Sequence, residues 1–97
     1  MSEEKKVEYK KYLVIVPHYW GRDTSLEKAT EQCRRACGAA AFRKFLKKGA
    51  IRYFATDGEH LWIDDFGGVH TKDDSTVLDR LDEKGGVLLR IAGEPCE

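Results

Sequence analysis

The chain lacks a long apolar segment, and it lacks the short motifs typical of common enzyme sites. It contains no run of about 18 apolar residues, so we expect no membrane-spanning helix. It also has no Gly-x-Ser-x-Gly, no glycine-rich phosphate loop followed by Lys-Ser/Thr and no His-Glu-x-x-His. The sequence therefore predicts a protein without enzymatic activity and without a cofactor.

Cysteine is scarce, and the three cysteines cannot form a complete set of disulfides because their number is odd. This favours a reducing compartment. Residues 1–6 are charged, and no apolar segment long enough for a signal peptide follows them, so we expect a cytoplasmic protein. Cys33 and Cys37 lie on the apolar stripe of a predicted helix, where thiols behave as small hydrophobic groups. No Cys-x-x-Cys pair accompanies them, and we expect no metal site.

The length of 97 residues is typical of one domain. A chain of this size buries roughly two-thirds of its unfolded surface and folds without disulfides. Residues 1–8 are charged and without periodicity, and we expect a mobile tail there. Residues 9–97 are expected to form a single α+β domain.

The first half of the domain is predicted to contain a strand and two helical segments. Residues 12–16 form an apolar, β-branched run typical of a central strand buried on both faces. A loop is expected over residues 18–23, followed by a helix start at Thr24 with Glu27 at capping-box spacing. Gly38 and Gly49 follow the two helical segments and suit helix C-termini.

The second half is predicted to contain a hairpin, a helix and a strand. Residues 50–56 and 60–65 flank Asp57-Gly58, a turn signal, and the preferred register pairs Tyr53 with Leu61. A short extra strand is expected at 69–71, a helix at 75–84 and a last strand at 87–92. The resulting order is β-α-β-β-α-β, the ferredoxin-like split βαβ arrangement, with the first helix in two pieces. The alternative is a three-stranded antiparallel meander with helices on one face.

Positive charge is concentrated in residues 34–52, although the net charge of the whole chain is zero. This stretch has seven basic residues and no acidic one, whereas residues 53–97 carry eleven acids and four bases. The second helical segment presents a basic face, which consists of Arg43, Lys44, Lys47 and Lys48. Such a face suits phosphate contacts. We favour the alternative, a solvated face that balances the acidic half, because a neutral protein does not attract a polyanion over long distances.

Aromatic residues occur beside arginines in two places. Tyr19, Trp20 and Arg22 precede a helix N-terminus, where a partner or an anion would find free amides and aromatic anchors. The alternative is that the two rings cover the core while Arg22 pairs with Asp64 or Asp65. Trp62 and Arg52 share one face of the predicted hairpin, which would suit base stacking, protein binding or an internal cation–π contact.

These patterns favour a small non-enzymatic binding module that acts through protein–protein contact. The predicted binding residues are Tyr19, Trp20, Arg22, Arg43, Lys44, Lys47, Lys48, Arg52 and Trp62. The partner would be a protein with an acidic surface or a second copy of the chain. The first alternative is a nucleic-acid-binding domain that uses the basic helix face. A small hydrolase built on His18, Asp65 and His70 is a distant third.

Overall fold

The computed structural model of the chain describes residues 8–72 and 77–92, which form an α+β domain with two helices and seven strands. The elements in chain order are β1 (Lys11–Val16), β2 (Tyr19–Asp23), α1 (Leu26–Cys37), α2 (Ala39–Lys48), β3 (Arg52–Thr56), β4 (Leu61–Ile63), β5 (Val69–Thr71), β6 (Val77–Leu81) and β7 (Val87–Ala92). The tail predicted for residues 1–8 falls outside the described residues, except for Glu8.

Five strands form one antiparallel sheet, and the other two form a small separate hairpin. The strand order of the sheet is β2-β1-β3-β6-β7, while β4 pairs with β5. β1 lies between β2 and β3, which confirms the prediction of a central strand. The short strand predicted at 69–71 is also present, as β5.

β1 is buried on both faces because its side chains alternate between two apolar clusters. Val14 and Val16 lie in the cluster under the helices, whereas Leu13 and Ile15 lie in the cluster under the β4–β5 hairpin. The first cluster also contains Ala29, Cys33, Phe42, Tyr53, Ala55 and Leu81, and the second contains Phe54, Leu61 and Leu78. The sheet is therefore the middle layer between the helices and the hairpin.

A serine caps the start of α1, and glycines end both helices. Ser25, not the predicted Thr24, is the N-cap of α1, and its hydroxyl accepts the backbone N–H of Lys28 at 3.1 Å. Gly38 has a φ of 98° and separates α1 from α2, and Gly49 ends α2 in the left-handed conformation. The predicted division of the helical region at Gly38 is confirmed. Glycine suits this position because it adopts a positive φ without strain.

Three predicted elements were wrong. Residues 19–23, expected as a loop, form the edge strand β2. β3 pairs with β1 and β6 rather than with β4, so Tyr53 lies opposite Val14 and Leu81 and not opposite Leu61. Within the segment expected as a second long helix, residues 77–81 form β6.

The error at β6 has a physical cause. Leu78 and Leu81 are three residues apart, which fits one face of a helix. In the structure they lie on opposite faces of a strand, and each is buried in a different cluster. The element order consequently differs from the predicted β-α-β-β-α-β arrangement and from a three-stranded meander.

Candidate functional site

Large apolar side chains that remain exposed fall into two groups among the described residues. The aromatic surface, as we define it, consists of Trp20, Trp62 and Phe66. Tyr19 is also exposed, but it pairs with Val16 and so lies on the helix side of the sheet. The aliphatic surface consists of Leu46, Val87, Leu88 and Leu89. Clustered exposed apolar residues mark interaction sites more often than scattered ones do. Tyr19, Trp20 and Trp62 were predicted as binding residues, whereas Phe66 and the aliphatic surface were not.

The β2 part of the aromatic surface is formed by a tight hairpin. Val16 pairs with Tyr19 across a two-residue turn in which His18 has a φ of 74°. Trp20 follows on the edge of the sheet and is 48% exposed. The Arg22 guanidinium lies 5.7 Å from the centre of the Trp20 ring, and its Nη1 donates to the carbonyl oxygen of Leu61 at 2.7 Å. Arg22 therefore connects this edge to β4 and does not pair with Asp64 or Asp65 as one alternative predicted.

Helix α1 closes part of the β2 edge. Gly21 lies against α1, where a Cβ atom would approach the Ala29 carbonyl oxygen to 2.3 Å. The backbone N–H of Arg22 donates to Gln32 Oε1 at 3.2 Å, and the Gln32 amide donates to Asp23 Oδ2 at 2.6 Å. A hydrogen bond from the Thr24 backbone N–H lowers the pKa of Asp23 below its usual range. Gln32 thus satisfies one outward-facing backbone donor of this edge strand.

The β4–β5 hairpin holds a stacked pair. Trp62 lies opposite His70, and their ring centres are 5.8 Å apart with an interplanar angle of 28°. His70 Nε2 lies 2.7 Å from Asp64 Oδ2. This hydrogen bond is the main cause that lowers the pKa of Asp64. Trp62 therefore has one side covered by His70 and remains 41% exposed.

The loop between β4 and β5 presents Phe66 to solvent. Asp64 Oδ1 accepts the backbone N–H groups of Phe66 and Gly68 at 2.9 and 2.7 Å. Gly67 has a φ of 86°, which a side chain would disfavour. Phe66 is 96% exposed even though its backbone is fixed by these hydrogen bonds. The loop is thus held in place while the Phe66 ring stays accessible to a partner.

Arg52 links the loop to the β2 edge. Its guanidinium lies 6.0 Å from the Phe54 ring, and a Cβ atom at Gly67 would be 4.0 Å from Arg52 Nη2. Ile15 pairs with Trp20 on one side and with Arg52 on the other. Trp20, Arg52 and the Phe66 loop therefore lie on the same side of the sheet.

The basic face of α2 lies on the other side of the sheet. All four of its cations are exposed, and no salt bridge to a described residue engages them: Arg43, Lys44, Lys47 and Lys48. Two of the other basic residues in the stretch, Arg34 and Arg35, pair with Glu31, and the hydrogen bond to Glu31 raises the pKa of Arg34. The cationic surface is thus smaller than the sequence count implies.

The residues considered for hydrolysis are not joined in a common site. His70 binds Asp64 rather than Asp65. No hydrogen bond or ion pair within residues 8–72 and 77–92 connects His18 with either Asp65 or His70. Burial raises the pKa of the Cys33 thiol to about 11, which keeps it protonated. Across the same described residues, no group of three or more metal-ligating side chains was found.

Sequence reasoning missed a buried carboxylate on β6. Asp79 is fully buried, accepts a hydrogen bond from the Tyr9 hydroxyl, and lies 3.4 Å from Arg90 Nε. Burial, followed by the hydrogen bond to Asp79, raises the pKa of Tyr9. These contacts join the start of the domain to β6 and β7, so we interpret Asp79 as a structural residue.

Comparisons with protein-family models, curated proteins and solved structures found no match for this chain. In the part of the chain that the structure describes, neither helix is long and apolar enough to cross a membrane.

Proposed function

We propose that the protein is a small non-enzymatic binding module that docks a protein partner on its aromatic surface. The observation that carries this proposal is the exposure of Trp20, Trp62 and Phe66 on backbone that hydrogen bonds hold in place. Tryptophan, tyrosine and arginine are the residues that most often dominate binding energy at protein interfaces. Their rings are large and lose little conformational entropy on binding.

The expected energy is large enough for recognition. Trp20 is about half exposed, so a partner that covers it removes about 100 Å² from water. At about 25 cal/mol per Å², this burial contributes about 2.5 kcal/mol. Phe66 is almost fully exposed and contributes a similar or larger amount. Two such contacts reach the energies of interface hot spots.

The chemistry of the surface defines the partner. Arg22 is already engaged by Leu61 and Trp20, whereas Arg52 contacts only the face of Phe54 among the interactions described. Arg52 lies beside the Phe66 loop and retains donors for a carboxylate. The partner should therefore combine apolar side chains with an acidic group.

We propose the cytoplasm as the location of the protein, because Cys33 and Cys37 are free thiols.

Site-specific photo-crosslinking tests the proposal in cells. A photoreactive amino acid placed at Trp62 or Phe66 should label a discrete polypeptide, and the same label at exposed Glu27 on α1 should not. The adduct from Phe66 should decrease when Trp20→Ser is present in the same chain. Equal labelling from Glu27, or an adduct unaffected by Trp20→Ser, would contradict docking at the aromatic surface.

Nucleic-acid binding is the second candidate. The cations of α2 favour it, because they are exposed and form no salt bridge within residues 8–72 and 77–92. If all four meet phosphates, the logarithm of the binding constant should fall with log salt at a slope of about −3.6 for duplex DNA. The test variant carries Arg43→Gln, Lys44→Gln, Lys47→Gln and Lys48→Gln. Arg34→Gln with Arg35→Gln is the matched control because Glu31 already pairs these two residues. Absence of salt-dependent binding by the unaltered protein rejects this function.

A further inference from the structure

The outer face of the β4–β5 hairpin brings a tryptophan, a histidine and a carboxylate into contact. Leu61 belongs to the apolar cluster under the hairpin, and Val69 packs against that cluster. Strand alternation therefore places Trp62 and His70 on the side of the hairpin that faces away from the sheet. Their ring centres are 5.8 Å apart, and His70 Nε2 lies 2.7 Å from Asp64 Oδ2. We call Trp62, His70 and Asp64 the outer cluster.

A glycine makes room for the contact between the histidine and the carboxylate. A Cβ atom at Gly68 would lie 2.9 Å from Asp64 Oδ2 and 3.3 Å from His70 Nε2, so a methyl group there would displace one of the two side chains. The same carboxylate holds the loop, because its Oδ1 accepts the backbone N–H groups of Phe66 and Gly68. His70 thus contacts the residue that orders the Phe66 loop and also stacks on a tryptophan of the aromatic surface.

The hydrogen bond determines which ring nitrogen of His70 can take up a proton. Asp64 is ionised at neutral and mildly acidic pH, since the hydrogen bond with His70 lowers its pKa. An ionised carboxylate only accepts hydrogen bonds, so the hydrogen between the two residues belongs to His70 Nε2. The neutral ring therefore has its free acceptor at Nδ1, where a proton from solvent adds. Histidine is the side chain that ordinarily changes its charge between pH 5 and 8.

We propose that proton uptake at His70 Nδ1 tightens the outer cluster and makes docking on the aromatic surface pH-dependent, a regulation that rests on the function proposed above. The imidazolium exchanges a neutral hydrogen bond to Asp64 for a charge-assisted one, which is stronger. It also places a cation against the Trp62 ring, within the distance of about 6 Å at which cation–π attraction acts. Both changes favour the arrangement that presents Trp62 and Phe66, and a better ordered surface binds its partner more tightly.

The other titratable groups near the outer cluster do not replace Asp64. His60 and Lys72 flank the two strands, Asp65 lies in the loop, and all three are exposed. Within the described residues, none of them forms a hydrogen bond, an ion pair or a ring contact with His70. The positive charge of Lys72 opposes proton uptake, but solvent screens it more than it screens a carboxylate at hydrogen-bond distance.

The charged groups that approach from the sheet contact other parts of the hairpin. Arg22 Nη1 donates to the carbonyl oxygen of Leu61, and Arg52 Nη2 lies near Gly67. The β1 side chains under the hairpin are apolar. The protonation state of His70 therefore acts mainly through the outer cluster.

Fluorescence tests the coupling between His70 and Trp62 without a partner. Trp20→Phe leaves Trp62 as the one tryptophan of the chain, and its emission should change between about pH 8 and about pH 5.5, where histidine titrates. Adding His70→Gln should abolish this change, since glutamine does not titrate. Adding His60→Gln is the matched control and should retain it, because the ring that stacks on Trp62 is that of His70. An emission independent of pH, or a change that survives His70→Gln, would overturn the proposal.

Photo-crosslinking from Phe66 in lysate tests the effect on docking. The adduct yield should be about threefold higher at about pH 5.5 than at about pH 8, a modest factor because solvent weakens a pair that is 48% and 35% exposed. His70→Gln should remove the difference, and Gly68→Ala should reduce it by separating the ring from the carboxylate while every histidine still titrates. No adduct at either pH would contradict the docking function itself. An adduct of equal yield at both pH values, or a pH dependence unchanged in His70→Gln, would overturn the regulation alone.

Discussion

Replacing Gly21 with alanine should destabilise the domain by forcing β2 and α1 apart. The added Cβ atom would lie 2.3 Å from the Ala29 carbonyl oxygen and 2.6 Å from the Cys33 backbone nitrogen. Non-bonded heavy atoms pack at about 3.5 Å, so the helix must move outward by about 1 Å. Both contacts are with helix backbone, which cannot rotate away as a side chain does.

The displaced helix would lose packing around Cys33 and over β1. Overpacking of this kind costs about 3 kcal/mol, a substantial part of the stability of a small domain. The melting temperature should fall by about 15 °C. Urea unfolding followed by circular dichroism measures the free energy directly.

Gly49→Ala is the matched control for this prediction. Gly49 has a φ of 69°, but nothing lies within 4 Å of an added Cβ atom. Its substitution should cost only the left-handed backbone penalty, about 1 kcal/mol. If Gly21→Ala unfolds at the same urea concentration as the unaltered protein, or is less destabilising than Gly49→Ala, the described contact between α1 and β2 is incorrect.

Three further predictions concern the helix start, acid stability and the thiols. Ser25→Ala should lower the free energy of unfolding by about 1 kcal/mol through loss of the N-cap, whereas Thr24→Ala should have a smaller effect; urea unfolding distinguishes them. The lowered pKa of Asp64 stabilises the fold above the ordinary aspartate pKa, and this contribution is lost as the pH falls through the lower folded value. Asp64→Asn should therefore make the free energy of unfolding, measured by urea unfolding, fall less steeply as the pH is lowered. The same slope as in the unaltered protein would contradict this. Cys33, with its pKa raised to about 11, should be alkylated more slowly than half-buried Cys37 at pH 8, as measured by peptide mass spectrometry; equal rates would contradict its burial.

The elements with strong local signals were predictable from sequence. The apolar run at the centre of β1 is short, β-branched and followed by Pro17, which together favour a strand covered on both faces. The bounds predicted for α2 agree with the structure because Gly38 and Gly49 mark both ends. These signals depend on residues close together in the chain.

The elements that were mispredicted depend on partners distant in sequence. β2 has polar and aromatic residues without a clear periodicity, and it becomes a strand because it pairs with β1 and because Gly21 fits against α1. Asp57, interpreted as part of a hairpin turn, instead accepts the backbone N–H of Val77 at 2.8 Å and so connects β3 to β6. No local pattern encodes this contact.

The candidate surfaces were predictable only in part. The sequence indicated Tyr19 and Trp20 as candidates, and both are exposed. Phe66 was missed because an aromatic residue beside two glycines is normally interpreted as loop, and its exposure depends on the Asp64 hydrogen bonds. The arginines beside α2 were overcounted because pairing of Arg34 with Glu31 follows from helix geometry that a charge count ignores.

Tryptophan fluorescence tests most directly whether the aromatic surface is open in the free protein. Trp62→Phe leaves Trp20 as the reporter, and Trp20→Phe leaves Trp62. Both single-tryptophan proteins should emit as water-exposed indoles and be quenched strongly by acrylamide while the protein stays folded. A blue-shifted emission with weak quenching from either residue would mean that its ring is buried, and the proposed docking surface would then be incorrect.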